Sequence, residues 1–218
     1  AAMREPRTDP NGYGHVFGNP AGGFMCLICF ANGSLAREQL RTKLGLSWPE
    51  FEQAILQQSK PGNAQNLMLP FFIPEMTPKI LEPRVELFGS AAFRAFEDKA
   101  ACARAIVEAQ ALSMQEHSTW IGEKPKSIRV TGGASQNRGI LQILADVFQA
   151  EICTLSVANS SALGGALRAA QSVEQLPWQE LYARFVAPDR GSRIHAAPEA
   201  APAYRELRAQ FLDKLAHF

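Results

Sequence analysis

Two adjacent glycines, Gly132 and Gly133, separate a short apolar run from a longer run with helical periodicity. This order predicts a strand at 127–131, a tight turn at the glycines and a helix at 136–149. The first backbone N–H groups of a helix have no internal partner, and glycine has no side chain. An anionic or nucleotide ligand can approach such a turn closely, so we expect part of a ligand site at these two residues.

A second strand–helix unit follows the first. The pattern predicts a strand at 151–155, a loop that contains Asn159-Ser-Ser161 and a helix at 162–170. Strands that alternate with helices are typical of parallel sheets with crossover connections. This region therefore indicates an α/β fold.

The remainder of the chain predicts further elements around these two units. Ser47-Trp-Pro-Glu50 matches a capping box at the start of a helix. A short strand at 15–18 precedes an apolar helix that begins at Phe24. The other predicted elements are helices at 34–44, 97–120 and 202–216 and a strand-like run at 67–73. We expect one α/β domain at 15–218, preceded by an extended or poorly ordered lead-in at 1–14.

The charge balance and the apolar runs exclude several classes of protein. The net charge is +1, from 22 basic and 21 acidic residues, so a dedicated nucleic-acid binder is not expected. No apolar run approaches the roughly 18 residues that cross a bilayer, and the first residues lack the apolar core of a signal peptide. We expect a soluble cytoplasmic protein with no membrane partner, and the sequence leaves a homodimer open.

Cys26 and Cys29 form a C-x-x-C pair, the spacing of many metal and redox sites. Their neighbours are apolar on both sides, and the chain has no second C-x-x-C or paired histidines to complete a zinc site. The favoured interpretation is a pair of reduced cysteines in the core, and no metal site is predicted.

The glycine turn itself has a structural and a functional interpretation. A lone Gly-Gly is most often a tight connection, and Gly132–Asn137 matches neither the dinucleotide fingerprint nor the P-loop. Asn137 favours function, because its amide on the first turn of the helix can donate and accept hydrogen bonds toward a ribose or base edge.

Four further positions also leave two interpretations open. The small residues at 161–166 favour close packing of their helix on the sheet, with Ser160 or Ser161 as N-cap, over ligand contact. Gly22, in Ala21-Gly22-Gly23, lies before an apolar run and is ambiguous alone. Glu75 is interpreted either as a functional residue or as a merely solvated loop residue. Glu108 is interpreted either as a buried hydrogen-bonding group or as the edge of an exposed face.

Four segments in one order resemble the C-terminal domain of the FGGY carbohydrate kinases, members of the actin-like ATPase superfamily. Thr131-Gly-Gly-Ala-Ser-Gln-Asn137 resembles the adenosine motif, and 159–170 resembles the helix rich in alanine and glycine that follows it in the family. Leu69-Pro-Phe-Phe-Ile-Pro-Glu-Met-Thr-Pro78 resembles a loop of xylulose kinases, and Arg104-Ala-Ile-Val-Glu108 resembles the second family signature. The implied fold is actin-like (ribonuclease H-like), with a mixed sheet and several flanking helices.

The resemblance implies transfer of the γ-phosphoryl group from ATP to a sugar hydroxyl, with D-xylulose as the expected acceptor and Mg²⁺ offsetting phosphate charge. Gly133 and Asn137 would contact the adenosine, and Gly132 would shape the turn. Gly22 would line the nucleotide cleft from the other side. Cys26 occupies a position where glycerol kinases carry a glutamine that contacts the nucleotide, so this contact is altered here.

Departures from the family pattern limit what the chain is expected to do. The catalytic aspartate and the phosphate-binding Gly-Thr-Ser hairpin precede this region in the family, and neither Asp9 nor Asp146 is suited to be that base. We therefore expect the C-terminal half of a larger kinase, without the N-terminal sugar-binding domain and inactive alone. The alternative is a non-catalytic actin-like module that binds a nucleotide or a protein. Pro74 and Met76 replace the usual Gly and Arg of the xylulose kinase loop, so another pentulose, gluconate or a polyol stays open as the substrate.

Overall fold

The structure is a computed structural model that describes residues 1–155, 157, 159–186 and 191–218. Its strands form three small sheets. The first is antiparallel in the order β1-β3-β2, the second is an antiparallel β4–β5 pair and the third is a parallel β6–β7 pair. The strands are β1 (Ala2–Met3), β2 (Gly14–Gly18), β3 (Phe24–Ile28), β4 (Leu67–Pro70), β5 (Val85–Phe88), β6 (Ser127–Val130) and β7 (Glu151–Thr154).

Helices pack around and between these sheets. Their bounds are α1 (Ser34–Leu44), α2 (Trp48–Leu56), α3 (Ala91–Arg94), α4 (Lys99–His117), α5 (Arg138–Phe148), α6 (Ser160–Glu174), α7 (Trp178–Phe185) and α8 (Ala201–Ala216). Short 3₁₀ turns lie at Asn63–Gln65, Thr119–Ile121, Gly133–Gln136 and Pro198–Ala200. No helix formed by the described residues is long and apolar enough to cross a membrane. The predicted α/β class, with mixed strand directions and flanking helices, is confirmed.

Helix α4 is the centre of the main core. It is rich in alanine, and its residues from Ala101 to Ser113 are all buried. Small side chains let neighbouring elements approach closely, and α2, α5, α8 and β4 all pack on α4. Ile106 and Leu112 are fully buried and fill the space between these elements. The core therefore fixes α5, and with it the glycine turn that precedes α5.

The prediction of a helix from Phe24 is wrong, because this run forms strand β3. Gly22 and Gly23 adopt φ values of 101° and 75°, which turn the chain back onto β2. Gly18 then lies opposite Phe24 in an antiparallel register that continues to Gly14 and Ile28. A short apolar run does not distinguish a strand from a helix by periodicity, and the glycine turn decides it here.

Residues 1–14, expected as an extended or poorly ordered lead-in, contribute to the first sheet. Strand β1 pairs with β3, so that Met3 lies opposite Phe24. Asp9 is buried, and its carboxylate accepts hydrogen bonds from the backbone N–H groups of Asn11, Tyr13 and Gly14 at 2.8–3.0 Å. These bonds order the turn that leads into β2.

Several local predictions agree with the structure and others do not. The capping box at Ser47 and Glu50 is present, with both reciprocal hydrogen bonds. The parallel pairing of β6 with β7 is also confirmed. The N-cap of α6 is Asn159 and not Ser160 or Ser161, because the Asn159 side chain accepts from the N–H of Ala162. The sequence pattern missed β1, β5, α3 and α7.

Candidate functional site

The glycine turn lies at the carboxyl edge of the parallel β6–β7 pair. Strand β6 ends at Val130 and runs into Thr131, and α6 begins at Ser160, after β7 has ended at Thr154. The Ser160 hydroxyl donates to the Thr131 hydroxyl at 3.3 Å, so the start of α6 lies beside the exit of β6. Ligands of open α/β sheets bind at this edge. The structure therefore brings together two of the segments that the sequence indicated.

Gly132 and Gly133 contribute to the turn in different ways. Gly132 has φ 74° and ψ −162°, a conformation that residues with side chains rarely adopt. Gly133 begins the 3₁₀ turn without a positive φ. A Cβ on either residue would have no described atom within 4 Å. Gly132 is thus required by backbone conformation, whereas Gly133 leaves open space above the turn.

The N-terminus of α5 already has acceptors of its own. The Asn137 Oδ1 accepts from the N–H of Ile140 at 3.0 Å, and the Glu52 carboxylate accepts from the N–H of Arg138 at 2.7 Å. Glu52 also places a negative charge at the positive end of this helix. This end of α5 is a poor phosphate site, so the geometry favours an uncharged ligand group over the glycine turn.

Asn137 is less exposed than the sequence suggested. Its side chain is buried, and its carbonyl oxygen is occupied by the cap of α5. The Nδ2 group donates no hydrogen bond to another described residue, so it is the part of this side chain that can still meet a ligand. The role expected for Asn137 as both donor and acceptor is reduced to that of a donor.

The small residues of α6 do not pack on the sheet as the favoured interpretation required. Gly164 and Gly165 are exposed, and a Cβ on either would have no described atom within 4 Å. Glycine inside an exposed helix costs about 1 kcal/mol relative to alanine. Close packing within the described part of the chain therefore does not explain these glycines.

Gly22 and Cys26 lie on the β2–β3 hairpin, away from the hydrogen bonds of the Gly132 turn. Gly22 has φ 101° in the turn between the strands, and nothing lies within 4 Å of a Cβ built there. Cys26 is buried opposite Val16 on the packed face of the sheet. No hydrogen bond between described residues joins this hairpin to the Gly132 turn. The burial of Cys26 favours packing over contact with a ligand, and all four cysteines are free.

Glu75 forms a buried contact that the sequence did not reveal. Its carboxylate accepts from the N–H groups of Ala31, Asn32 and Met76 at 2.7–2.8 Å and from the Asn32 side chain at 3.0 Å. Burial raises the pKa of Glu75, but these donors outweigh burial and hold the pKa below its usual value. Glu75 is therefore a buried carboxylate that joins two loops, and it is not a solvated loop residue.

The Asn32 side chain extends this network to the core. Its Oδ1 accepts from the N–H groups of Phe72 and Ile73, and its backbone carbonyl accepts from the Gln110 side chain at 2.8 Å. Gln110 in turn accepts from buried Arg37 at 2.5 Å. The loop before α1 and the loop after β4 are thus both fixed to α4. The sequence contains no local signal for this network, because its partners are far apart along the chain.

Glu108 is buried, as one of its two interpretations required. Its Oε1 accepts from Arg104 and from the N–H of Gly62, both at 3.1 Å. Its Oε2 is buried and has no hydrogen-bond partner among the described residues. Burial raises the pKa of Glu108 to about 7, although the charge of Arg104 opposes this shift. Arg104 also donates to Tyr204 and to the carbonyl of Ile55, so this pair joins α2, α4 and α8.

Two aspartates that are unsuited as a base have structural contacts. Asp146 accepts from the N–H of Ala197 at 2.8 Å and from Gln142 at 2.9 Å, and Asp9 orders the turn before β2. Burial raises the pKa of Asp146. Within the described ranges, no group of three or more His, Cys, Asp or Glu side chains is placed to hold a metal ion.

Comparison with known proteins identifies related sequences. The model of the FGGY family of carbohydrate kinases, C-terminal domain, matches residues 13–173. Xylulose kinase of Rattus norvegicus is 36% identical over an alignment of 220 positions, and the match covers 92% of this chain and 40% of the rat protein. Xylulose kinase of Mus musculus is 38% identical over 162 residues, which cover 72% of this chain and 29% of the mouse protein. The chain therefore spans less than half the length of these relatives.

Solved structures show the same fold. A ligand-bound xylulose kinase from Lactobacillus acidophilus matches with a TM-score of 0.82 at 19% identity, over 97% of this chain and 43% of that chain. Gluconate kinase from the same organism matches with a TM-score of 0.81 at 19% identity, again over 97% and 43% of the two chains. Kinases for two different substrates share this fold, so the fold alone does not select a sugar.

Proposed function

Because the chain belongs to the FGGY family of carbohydrate kinases, we propose that residues 15–218 are the nucleotide-binding domain of an ATP-dependent sugar kinase. The proposed reaction transfers the γ-phosphoryl group of ATP to a hydroxyl group of a sugar. The chain spans 40% of the length of the rat relative. The activity is accordingly proposed for a protein that joins this domain to an N-terminal sugar-binding domain.

The observation that carries the proposal is the open glycine turn at the carboxyl edge of β6. Gly132 sets the backbone and Gly133 leaves space, while Glu52 and Asn137 already occupy N–H groups at the start of α5. This combination suits the base and ribose of adenosine better than its phosphates. The Nδ2 group of Asn137 is the proposed donor to the nucleoside.

The hairpin residues have weaker support as ligand contacts. Gly22 is at an open turn and is proposed to line the nucleotide cleft from the side opposite Gly133. Cys26 matches a position that contacts the nucleotide in glycerol kinases, but its burial on the packed face supports a role in the sheet. We therefore retain Gly22 as a proposed cleft residue and assign Cys26 to packing.

The described residues fit a binding role better than a catalytic one. Their buried carboxylates, at Asp9, Glu75, Glu108 and Asp146, are all engaged in structural hydrogen bonds. The base that accepts the proton of the sugar hydroxyl is proposed to lie in the companion domain. Mg²⁺, carried by the ATP phosphates, would offset their charge during transfer. Within this chain the proposed contribution is to hold and orient adenosine.

D-Xylulose is the proposed acceptor, because the mammalian relatives are named xylulose kinases. The loop that resembles those enzymes carries Met76 in place of the usual arginine. Glu75 beside it is satisfied by amide donors, with no ion-pair partner among the described residues. The missing arginine therefore leaves no buried charge unsatisfied, and the loop can keep its shape without it.

The test is a coupled assay of ADP release by the full-length kinase. We expect release with D-xylulose and markedly less with gluconate, glycerol and other pentuloses. Parallel ATP titration of the same preparation separates binding from turnover. ATP binding without sugar-dependent release for any acceptor would favour a non-catalytic nucleotide-binding module, and release with another sugar would correct only the substrate.

A further inference from the structure

The sheet of β1, β3 and β2 has one packed face and one exposed face. On the packed face Cys26 is buried, and a Cβ at Gly14 would lie 2.3 Å from the Trp120 ring, so the ring rests directly on this strand. On the opposite face Phe17 lies across from Met25. Leu27 follows two residues later and points the same way. These three side chains are 47%, 40% and 50% exposed.

The free edge of β2 borders the same surface. The N–H of Asn19 donates a hydrogen bond to the carbonyl of Gly23. Hydrogen-bonded and non-hydrogen-bonded pairs alternate along an antiparallel ladder, so the next hydrogen-bonded pairs are Phe17 with Met25 and His15 with Leu27. Val16 and Gly18 therefore direct their backbone groups away from β3. Neither residue makes a backbone hydrogen bond on that side to a described residue.

An apolar cluster next to an open strand edge is unusual for a surface in water. Single exposed apolar residues are common, but neighbouring ones on one face mark interaction surfaces. An unpaired edge adds a row of backbone donors and acceptors that can bind another strand. We call Phe17, Met25, Leu27 and the free edge at Val16 and Gly18 the β2–β3 surface. Its chemistry fits an extended polypeptide segment with apolar side chains.

The relatives supply a candidate for this segment. A solved kinase with the same fold is covered over 43% of its chain, and the rat relative over 40% of its length. Kinases of this kind therefore carry much additional polypeptide that can pack on this domain. A partner that belongs to the same chain also pays a smaller entropy cost for association than a separate molecule.

We propose that the β2–β3 surface is where the companion domain of the kinase docks. The companion domain covers Phe17, Met25 and Leu27 and pairs an extended segment with the edge of β2. This inference rests on the proposed function, because it requires the full kinase. It assigns to the hairpin that carries Gly22 the additional role of joining the two domains.

Hydrogen–deuterium exchange compares the full-length kinase with the 218-residue chain. We expect the amides of Val16 and Gly18 on the free edge of β2 to exchange at least about tenfold more slowly in the full-length protein, because pairing and burial remove them from water. Peptides from α2, which is packed in the core of this chain, serve as the reference. Their amides should exchange at the same rate in both proteins.

Leu27→Glu supplies the second measurement, and Leu81→Glu is its control because Leu81 is 72% exposed and lies outside the surface. In the 218-residue chain both variants should keep the wild-type Tm, since both side chains already face water. In the full-length kinase Leu27→Glu should lower the Tm by about 3 °C or more, whereas Leu81→Glu should not.

Two results would contradict docking of the companion domain at the β2–β3 surface. Equal exchange of β2 in both proteins, with no selective effect of Leu27→Glu, overturns the proposal. Protection of β2 in the 218-residue chain that grows with protein concentration assigns the surface to a second copy and overturns it too. Titration of the wild-type kinase with ATP is independent of these results, so failure of nucleotide binding would contradict the proposed function and leave the docking measurement intact.

Discussion

Glu75 and Asn32 hold the two loops at the start of α1 and the end of β4 together. The Asn32 backbone N–H and side-chain amide both donate to the Glu75 carboxylate, at 2.8 and 3.0 Å. The side-chain Oδ1 of Asn32 in turn accepts from the backbone N–H groups of Phe72 and Ile73 in the Glu75 loop. The contact is reciprocal, so neither loop keeps its hydrogen bonds without the other.

Glu75→Gln should destabilise the protein by about 2–3 kcal/mol, because the new NH₂ group faces amide donors and leaves them unpaired. Urea unfolding of the variant measures this change. Glu82→Gln, on an exposed loop residue, is the control and should leave stability unchanged. Equal stability of both variants would show that water replaces the lost acceptor.

The same contact predicts a dependence on pH. Hydrogen bonds hold the pKa of Glu75 below the ordinary glutamate value of 4.5, so the folded carboxyl ionises more readily than the unfolded one. Its stabilisation is complete above the unfolded pKa and is lost as the pH falls through the folded pKa. Unfolding free energies measured from pH 6 downward should therefore fall less steeply in Glu75→Gln than in the wild type.

Gly133→Val should weaken ATP binding to the full-length kinase by about tenfold or more, because the branched side chain fills the open space above the turn. Gly133 has no positive φ, so the fold should tolerate the change. Isothermal titration with ATP gives the affinity, and the Tm gives the fold. Unchanged affinity in a stable variant would assign the turn a structural role only.

Gly132→Ala should act on stability, in contrast to its neighbour. The methyl group meets no described atom, but φ 74° with ψ −162° is strained for alanine by about 1–3 kcal/mol. Gly133→Ala adds the same group one residue later and is the matched control. Equal urea midpoints for the two variants would contradict the assignment of the strained conformation to Gly132.

Local signals in the sequence located the elements around the candidate site. The capping box at Ser47 and the strand–glycine–helix order at Gly132 depend on residues close in the chain, and both are present. The prediction of a helix from Phe24 is wrong, because a short apolar segment has the same composition in a strand and in a helix. The turn at Gly22 was visible, but its pairing with β2 depends on tertiary contacts.

Contacts between residues far apart in the chain could not be predicted from the sequence. Asn32 and Glu75 are 43 residues apart, and no periodicity links an asparagine before one helix to a glutamate after a distant strand. The use of the Asn137 side-chain Oδ1 as a helix cap was not predicted either, since the predicted helix started one residue before Asn137. Burial of Glu108 required knowledge of which helices cover α4.

Glu108→Gln should remove a pH dependence of stability near neutrality. Burial raises the pKa of Glu108 to about 7 from the ordinary glutamate value of 4.5. The folded state therefore binds this proton more tightly than the unfolded state, so the stabilisation is complete below pH 4.5 and is lost as the pH rises to about 7.

Glutamine keeps a neutral group of the same shape, so the variant should lose this fall in unfolding free energy, about 1–3 kcal/mol in the wild type. Urea unfolding at pH 5, 6, 7 and 8 measures the slope. Asp146→Asn is needed as a second variant, because burial raises the pKa of Asp146 in the same direction. A wild-type slope retained in Glu108→Gln and removed in Asp146→Asn would transfer the effect to Asp146. A slope retained in both would show that neither carboxyl produces it and would contradict the assignment to Glu108.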